Sequence, residues 1–274
     1  MLSALQHILA NLGFREDVGA FIVLFGLVVA RLVSAITLSP FLGGRNISPR
    51  IKVGLAVVVS IVLFPTMAPR LVAGELTVLR ATCLLIKESV IGATIGFLSQ
   101  LVFQGIQMAG AMMDYARGMS QATFLAPQLE SNVSLIGQLQ LQASLVLFLI
   151  LNGHLLFLRA LAASFQKIPL LEFPHFTGGT LGVMEQLGRY SAETLEIAVR
   201  LSAPVLLALF LVDIGFGMLG KVAQGLNVHN ESQPVKALFG LGVFLLALAY
   251  VVGRMPNYFT DMVEEVRQFV AYIS

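Results

Sequence analysis

Lys87 and Glu88 stand side by side inside a long apolar run, roughly Val78 to Met113. A charged side chain at the centre of a bilayer costs at least about 2.5 kcal/mol, so such groups face protein partners or a water-filled path. In that setting they can hold a neighbouring helix, couple an ion or relay a proton. Other ionisable residues interrupt apolar runs in the same way, namely Arg31, Arg159, Arg200 and Asp213.

These charges differ in the partners that they need. Adjacent helical residues point about 100° apart, so we expect Lys87 and Glu88 not to neutralise each other and to require one partner each. The lone charges on other runs also need partners, from another helix or another chain. Arg200, in contrast, follows Glu196 by four residues, a spacing that predicts an ion pair within one helix. Arg189–Glu193 repeats the spacing.

Enzymatic and metal chemistry find little support in the sequence. The four histidines are scattered, without Cys, Asp or Glu at ligand spacing. The string Gly215–Gly220 matches a dinucleotide fingerprint, but it continues an apolar helix instead of following a strand and a turn. The single cysteine, Cys83, excludes an internal disulfide. We therefore predict no enzyme activity, no cofactor and no metal.

The composition indicates an integral membrane protein. The 274 residues are 57% hydrophobic and 12% charged, and the mean hydropathy is +0.86. Soluble domains carry about 25% charged residues. The net charge of +2 is spread without a basic block, which argues against nucleic-acid binding. We expect the N-terminal stretch to form a short amphipathic helix before the first span rather than a cleaved signal peptide.

Six apolar runs reach the length of about 20 residues that a straight membrane span needs. They are Val18–Phe41, Ile51–Leu71, Val78–Met113, Leu135–Phe165, Gln186–Val222 and Pro234–Met255. Three of them are longer than one span, so they must tilt, kink, split or leave the bilayer. The predicted fold is an all-α integral membrane protein of long kinked helical hairpins, one domain over residues 1–274.

Two further segments depart from simple spans. The connection Asp114–Ser134 carries apolar residues that a solvated loop would not need, including Met119, Phe124 and Leu125. Residues 257–274 predict an amphipathic helix, with Val263, Val266, Val270 and Ile273 on one face. Lysine and arginine outside the spans divide evenly, six on each side, so the positive-inside rule does not predict an orientation in the membrane.

Several stretches, in this order, are similar to the FliR/SctT family, the export-gate membrane subunit of flagellar and injectisome type III secretion. They are Ser39–Arg45 with Ser48–Leu55, Lys87–Phe97, Asn152–His154 with Ser164–Pro169, Ala203–Gly220, and Leu226–Val228 with Pro234–Lys236. Together they extend over most of the chain. Their order and spacing carry the resemblance more than any single motif does.

The resemblance implies a subunit that joins FliP/SctR-like and FliQ/SctS-like membrane partners in a helical funnel admitting unfolded secreted proteins. It also implies FlhB/SctU-like and FlhA/SctV-like export components as neighbours, and the bacterial inner membrane as the location. The family's plug loop would fall on Met119–Val133, within the connection Asp114–Ser134, with Phe124 and Pro127 at its centre. Its expected plug residues are Met119, Phe124, Leu125, Pro127 and Gln128.

Three hypotheses follow. The first is a non-enzymatic gate subunit, in which Arg31, Lys87, Glu88, Arg200 and Asp213 make subunit or interhelix contacts. The second is a small-solute secondary transporter that uses intramembrane charges and His154 as coupling groups. The third is an intramembrane enzyme.

Overall fold

The structure is a computed structural model, and it describes residues 18–44, 47–67, 77–118, 134–174, 179–222 and 228–273. All regular secondary structure in these ranges is helical. The helices are α1 (Val18–Leu38), α2 (Pro49–Met67), α3 (Val78–Ala116), α4 (Leu135–Ile150), α5 (Gly153–Lys167), α6 (Gly179–Val222) and α7 (Val228–Tyr272). The prediction of an all-α fold with long and bent helices is confirmed.

The fourth predicted run, Leu135–Phe165, breaks into α4 and α5, which meet at a bend of 73°. Asn152 occupies the break with a φ of 57°, in the left-handed region that asparagine tolerates better than most residues. Its carbonyl accepts a hydrogen bond from the N–H of Leu155 at 3.0 Å, so Asn152 lies at the bend and also caps the start of α5.

The C-terminal segment differs from the sequence-based expectation. No separate helix begins at Asn257, because α7 runs without a break from Val228 to Tyr272 and includes Pro256. The residues of the expected apolar face, Val263, Val266, Val270 and Ile273, are buried. Three polar residues nearby, Asp261, Glu264 and Gln268, are exposed.

Four helices, α1, α3, α6 and α7, are long and apolar enough to cross a membrane, and the bent pair α4–α5 makes a fifth if it counts as one span. Helix α6 has 44 residues. At 1.5 Å per residue it is about 66 Å long, more than twice the hydrocarbon thickness of a bilayer. Part of α6 must therefore extend beyond the hydrocarbon.

Contacts divide the chain into two compact units, and the first comprises residues 1–100, 152–187 and 262–274. Within it, α1 lies against the first half of α3 at very short range. A Cβ atom on Gly96 would lie 2.6 Å from the carbonyl oxygen of Ala35 and 2.9 Å from Cβ of Leu38. Only glycine permits this approach of two backbones.

The second unit comprises residues 101–151 and 188–261. Three phenylalanine rings, Phe103, Phe148 and Phe259, meet in it with centroids 5.2 to 5.6 Å apart. Its buried apolar cluster is formed by Met113, Ile136, Val205, Leu209 and Phe244. The second half of α3 is thus central to this unit, as the first half is to the other.

Candidate functional site

A buried cluster of charges lies in the first unit, where α1, α3 and the end of α5 meet. Arg31 and Glu88 have no exposed surface, and Lys87 is 8% exposed. Arg31 lies one helix turn before Ala35 on α1. The close approach of α1 to α3 places Arg31 opposite Glu88. A Cβ atom on Gly92 would collide with the backbone of Arg31, so the glycine brings the two charged residues within reach.

Arg31 and Glu88 form a bidentate ion pair. The guanidinium donates through Nε to Oε2 of Glu88 and through Nη2 to Oε1 at 2.9 Å. Paired, parallel hydrogen bonds of this kind are stronger than neutral ones and fix the mutual orientation of the two groups. The pair therefore ties α1 to α3 in one register.

The remaining donors of Arg31 reach α5. Nη1 donates to the hydroxyl of Ser164 at 3.1 Å, and Nη2 donates to the carbonyl of Ile168 at 3.0 Å. The guanidinium also lies 4.1 Å from the centroid of the Phe165 ring. Such a cation–π contact adds roughly 0.5–2 kcal/mol of attraction, more when it is removed from water. Arg31 thus joins three elements.

Lys87 holds the chain that follows α5. Its ammonium donates to the carbonyls of Pro169, Leu170 and Glu172 at 3.0, 2.9 and 2.9 Å. It also lies 2.7 Å from Oε1 of Glu88. An ammonium has three N–H donors, and four oxygen acceptors surround it, so none of its donors lacks a partner.

The expectation that Lys87 and Glu88 cannot neutralise each other is wrong. Adjacent helical residues do point apart at Cβ, but the four-carbon stem of lysine lets the ammonium reach back to the neighbouring carboxylate. Each residue nevertheless has separate partners, Arg31 for Glu88 and the carbonyls after α5 for Lys87. Direction at Cβ limits short side chains more than long ones.

The C-terminal end of α5 compensates the excess of positive charge in the cluster. Two cations face one carboxylate, but the final carbonyls of a helix carry partial negative charge and lack partners within the helix. α5 ends at Lys167, and the carbonyl of Ile168 directly after it accepts from Arg31. Two cations from other helices therefore cap the C-terminal end of α5. The arrangement can hold three segments together.

The structure places the other predicted contact residues in the second unit. Arg200 pairs with Glu196 on one face of α6, and both side chains are more than half exposed. Asp213 on α6 pairs with Lys236 on α7, where the carboxylate is 46% exposed and the lysine 13%. The other three predicted contact residues, Arg31, Lys87 and Glu88, belong to the first unit.

The five predicted plug residues, Met119, Phe124, Leu125, Pro127 and Gln128, lie outside the described residues. His154 is described: its Nδ1 atom is buried and has no hydrogen-bond partner among the described residues. In the part of the chain that the structure describes, no three His, Cys, Asp or Glu residues are grouped as metal ligands.

Sequence reasoning missed a second buried ion pair, Asp114 with Arg117. Asp114 Oδ1 accepts from Nη1 of Arg117 at 3.0 Å, and both residues are nearly buried. The prediction that Asp114 begins a connection is wrong, because α3 continues through Ala116. One signal in the sequence pointed to this site. Ser134 stands before an apolar run, as the N-cap of a helix would, and the N-terminal end of a helix favours a nearby carboxylate.

Comparison with known proteins identifies relatives over nearly the whole chain. The flagellar biosynthetic protein FliR of Bacillus subtilis (strain 168) is 28% identical over 256 residues, 91% of this chain and 95% of that protein. FliR of Escherichia coli (strain K12) is 24% identical, over 85% of this chain and 87% of that protein. The secretion system apparatus protein SsaT of Salmonella typhimurium is 32% identical, over 60% and 62% respectively.

The family model described as bacterial export proteins, family 1, matches residues 22–262. This match contains the charge cluster of the first unit and the ion pairs of the second. It confirms the predicted resemblance to the FliR/SctT family. The chain therefore belongs to the bacterial export proteins, family 1, the FliR/SctT family of membrane components of type III export.

Proposed function

We propose that the chain is a non-enzymatic subunit of the type III export gate. In the membrane it joins FliP/SctR-like and FliQ/SctS-like subunits and forms with them the entry channel for unfolded secreted proteins. FlhB/SctU-like and FlhA/SctV-like components are its neighbours in the bacterial inner membrane, and energy supply and substrate sorting belong to other components of the apparatus.

One observation carries this proposal beyond family membership. The Asp213–Lys236 ion pair stands on a surface whose other residues suit lipid, with a half-exposed carboxylate. The large apolar residues around Asp213 on α6 are exposed: Leu207, Phe210, Leu211 and Ile214. A carboxylate at such a position favours contact with protein or water over contact with lipid. A partner subunit that covers this surface supplies that environment.

Secretion tests the proposed function. A strain that lacks this gene should fail to export the substrates of its type III system, and the chain supplied in trans should restore export. Asp213→Leu should lower export while leaving the amount of the chain in the membrane unchanged, and Glu193→Gln, in an exposed pair on the same helix, serves as control. Normal export without the gene would refute the proposal.

We further propose that residues 119–133 act as a plug, with Phe124 and Pro127 central to it. Support comes from the family and from the apolar side chains in this connection. Deleting residues 121–130 should raise the leak of ions across membranes that contain the assembled complex. An unchanged leak, with the complex intact, would contradict a plug.

The transporter hypothesis has less support. A coupling group must exchange partners during transport, yet Lys87 and Glu88 are fully engaged by Arg31 and by carbonyls after α5. The unpartnered Nδ1 of His154 is the one observation in the described chain that suits a proton-coupled reading. Proton-driven uptake of a small solute by the purified chain would favour the transporter hypothesis over the gate.

A further inference from the structure

Asp114 lies near the C-terminal end of α3 and interacts with the beginning of α4. Its Oδ2 atom accepts from the hydroxyl of Ser134 at 2.7 Å and from the backbone N–H of Ile136 at 2.8 Å. The first N–H groups of a helix have no partner inside it, and α4 has no acidic residue in its first turn. A carboxylate from α3 therefore supplies the negative charge that this helix end favours.

Ser134 completes the junction. Its hydroxyl donates to Asp114 and accepts from the N–H of Gly137 at 2.8 Å, so it is the N-cap of α4. The backbones touch one turn further on, because a Cβ atom on Gly110 would lie 2.5 Å from Cα of Gly137. Contact is thus made both by backbone packing and by the carboxylate.

Arg117 extends the junction to α7. Nη1 donates to Asp114 Oδ1, and Nε donates to the carbonyl of Ala237 at 3.2 Å. The stem of Arg117 lies along the backbone of α7, since a Cβ atom on Gly240 would lie 2.5 Å from its Cγ. α3 ends at Ala116, and two residues later Gly118 has a φ of 80°, a conformation that favours glycine and turns the chain away from the helix.

We propose that Asp114 and Arg117 form a clasp that holds the end of α3 to the start of α4 and to α7, on either side of residues 119–133, and that the clasp limits the resting leak of the assembled gate. The predicted effect on ion leak rests on the proposed plug, whereas the joining of α3 to the start of α4 does not. The clasp residues act through position, because they set where the segment leaves α3 and where it re-enters at α4.

The chemistry of the pair supports a positioning role. Apolar residues of similar volume often stabilise a core as well as a buried ion pair does, so a buried pair is not explained by stability alone. One carboxylate here serves two donors on α4 and one on Arg117, which specifies a single arrangement of three helices. An apolar contact would permit sliding.

Two variants and one control test the clasp. Asp114→Asn keeps the size of the side chain but removes its charge, and Arg117→Met removes both donors while keeping much of the stem. Arg189→Met is the matched control, because it removes an arginine from an exposed ion pair in the same unit. All are made in the full chain, assembled with its partner subunits.

The first readout is a distance between spin labels at Tyr115 and Leu135, which are 67% and 65% exposed on either side of the junction. Cys83→Ser removes the native thiol. The clasp variants should broaden the distance distribution and the control should not. The second readout is ion leak in proteoliposomes, which should rise severalfold in the clasp variants at unchanged mass of the complex.

The outcomes separate the clasp from the plug. If the deletion of residues 121–130 raises the leak but the clasp variants change neither leak nor distance, the clasp is refuted and the plug stands. If the deletion leaves the leak unchanged, the plug is refuted, and the distance distributions alone decide whether the ends are clasped. Should Asp114→Asn fail to assemble, Arg117→Lys, which keeps the charge but not the planar fork, takes its place and should give an intermediate broadening.

Discussion

Glu88 is the only carboxylate that faces Arg31 and Lys87 directly in the described chain, and it is fully buried. Removing one member of such a group leaves an uncompensated charge out of water, which usually costs far more than the pair itself contributes. Glu88 therefore determines whether two cations are tolerated between α1, α3 and α5. The cluster is better described as one unit of three charges than as two pairs.

Glu88→Gln should destabilise the folded chain by about 3–5 kcal/mol, because Arg31 and Lys87 lose their counter-charge in a buried site. The measurement is the midpoint of thermal unfolding in detergent. Glu196→Gln, in an exposed ion pair of α6, should change stability by no more than about 0.5 kcal/mol. Equal shifts for the two variants would show that the buried cluster has no special role.

Lys87→Met should release the chain after α5, since three backbone carbonyls lose their donor. Each buried acceptor left without a partner costs about 1–3 kcal/mol unless water reaches it. Faster hydrogen exchange and proteolysis at residues 168–174 should report the release. Lys167→Met, at an exposed position of α5, is the control and should leave both unchanged.

At the scale of elements, α3 is the helix on which both units depend, and glycines determine how closely others approach it. Gly96 lies against α1 in the first unit, and Gly105 lies against α6 in the second, where a Cβ atom would be 2.8 Å from the carbonyl oxygen of Thr194. Lipid is as apolar as a leucine side chain, so helices in a membrane associate through close packing at small residues.

Gly96→Ala should lower stability by about 1–3 kcal/mol, because the added methyl group forces α1 away from α3. It should also weaken the Arg31–Glu88 pair, which depends on the same approach. Gly253→Ala, in a helix position with open space, is expected to stabilise by about 0.5–1 kcal/mol. Circular dichroism melts would check both, and a stabilising Gly96→Ala would contradict the close contact.

The sequence predicted these elements better than it predicted their junctions. Each helix in the described ranges overlaps an apolar run predicted from hydropathy, because burial and span length act over many residues. The break at Asn152 depends on one residue's backbone conformation, for which the Asn-Gly pair was the available signal. Apart from the adjacent pair Lys87–Glu88, the partners of Arg31 and Lys87 lie 57 to 137 residues away in sequence, and no local pattern specifies these contacts.

At the scale of the whole molecule, α6 and α7 are longer than a single membrane span and largely exposed. α7 has 45 residues, and the apolar window of α7 that suits a membrane is only 17% buried. Around the Asp213–Lys236 pair, the large apolar residues of α6 are exposed. A monomeric transporter buries its intramembrane charges inside its own bundle, whereas a subunit can leave them for a neighbour.

Membership of the export gate is tested most directly by the mass of the purified assembly. The chain should be produced alone and together with FliP/SctR-like and FliQ/SctS-like subunits, and each preparation should be weighed by native mass spectrometry. We predict aggregation or low yield for the chain alone and one defined complex, containing this chain and both partners, after co-expression. A monodisperse chain that retains no partner under co-expression would contradict the proposed function.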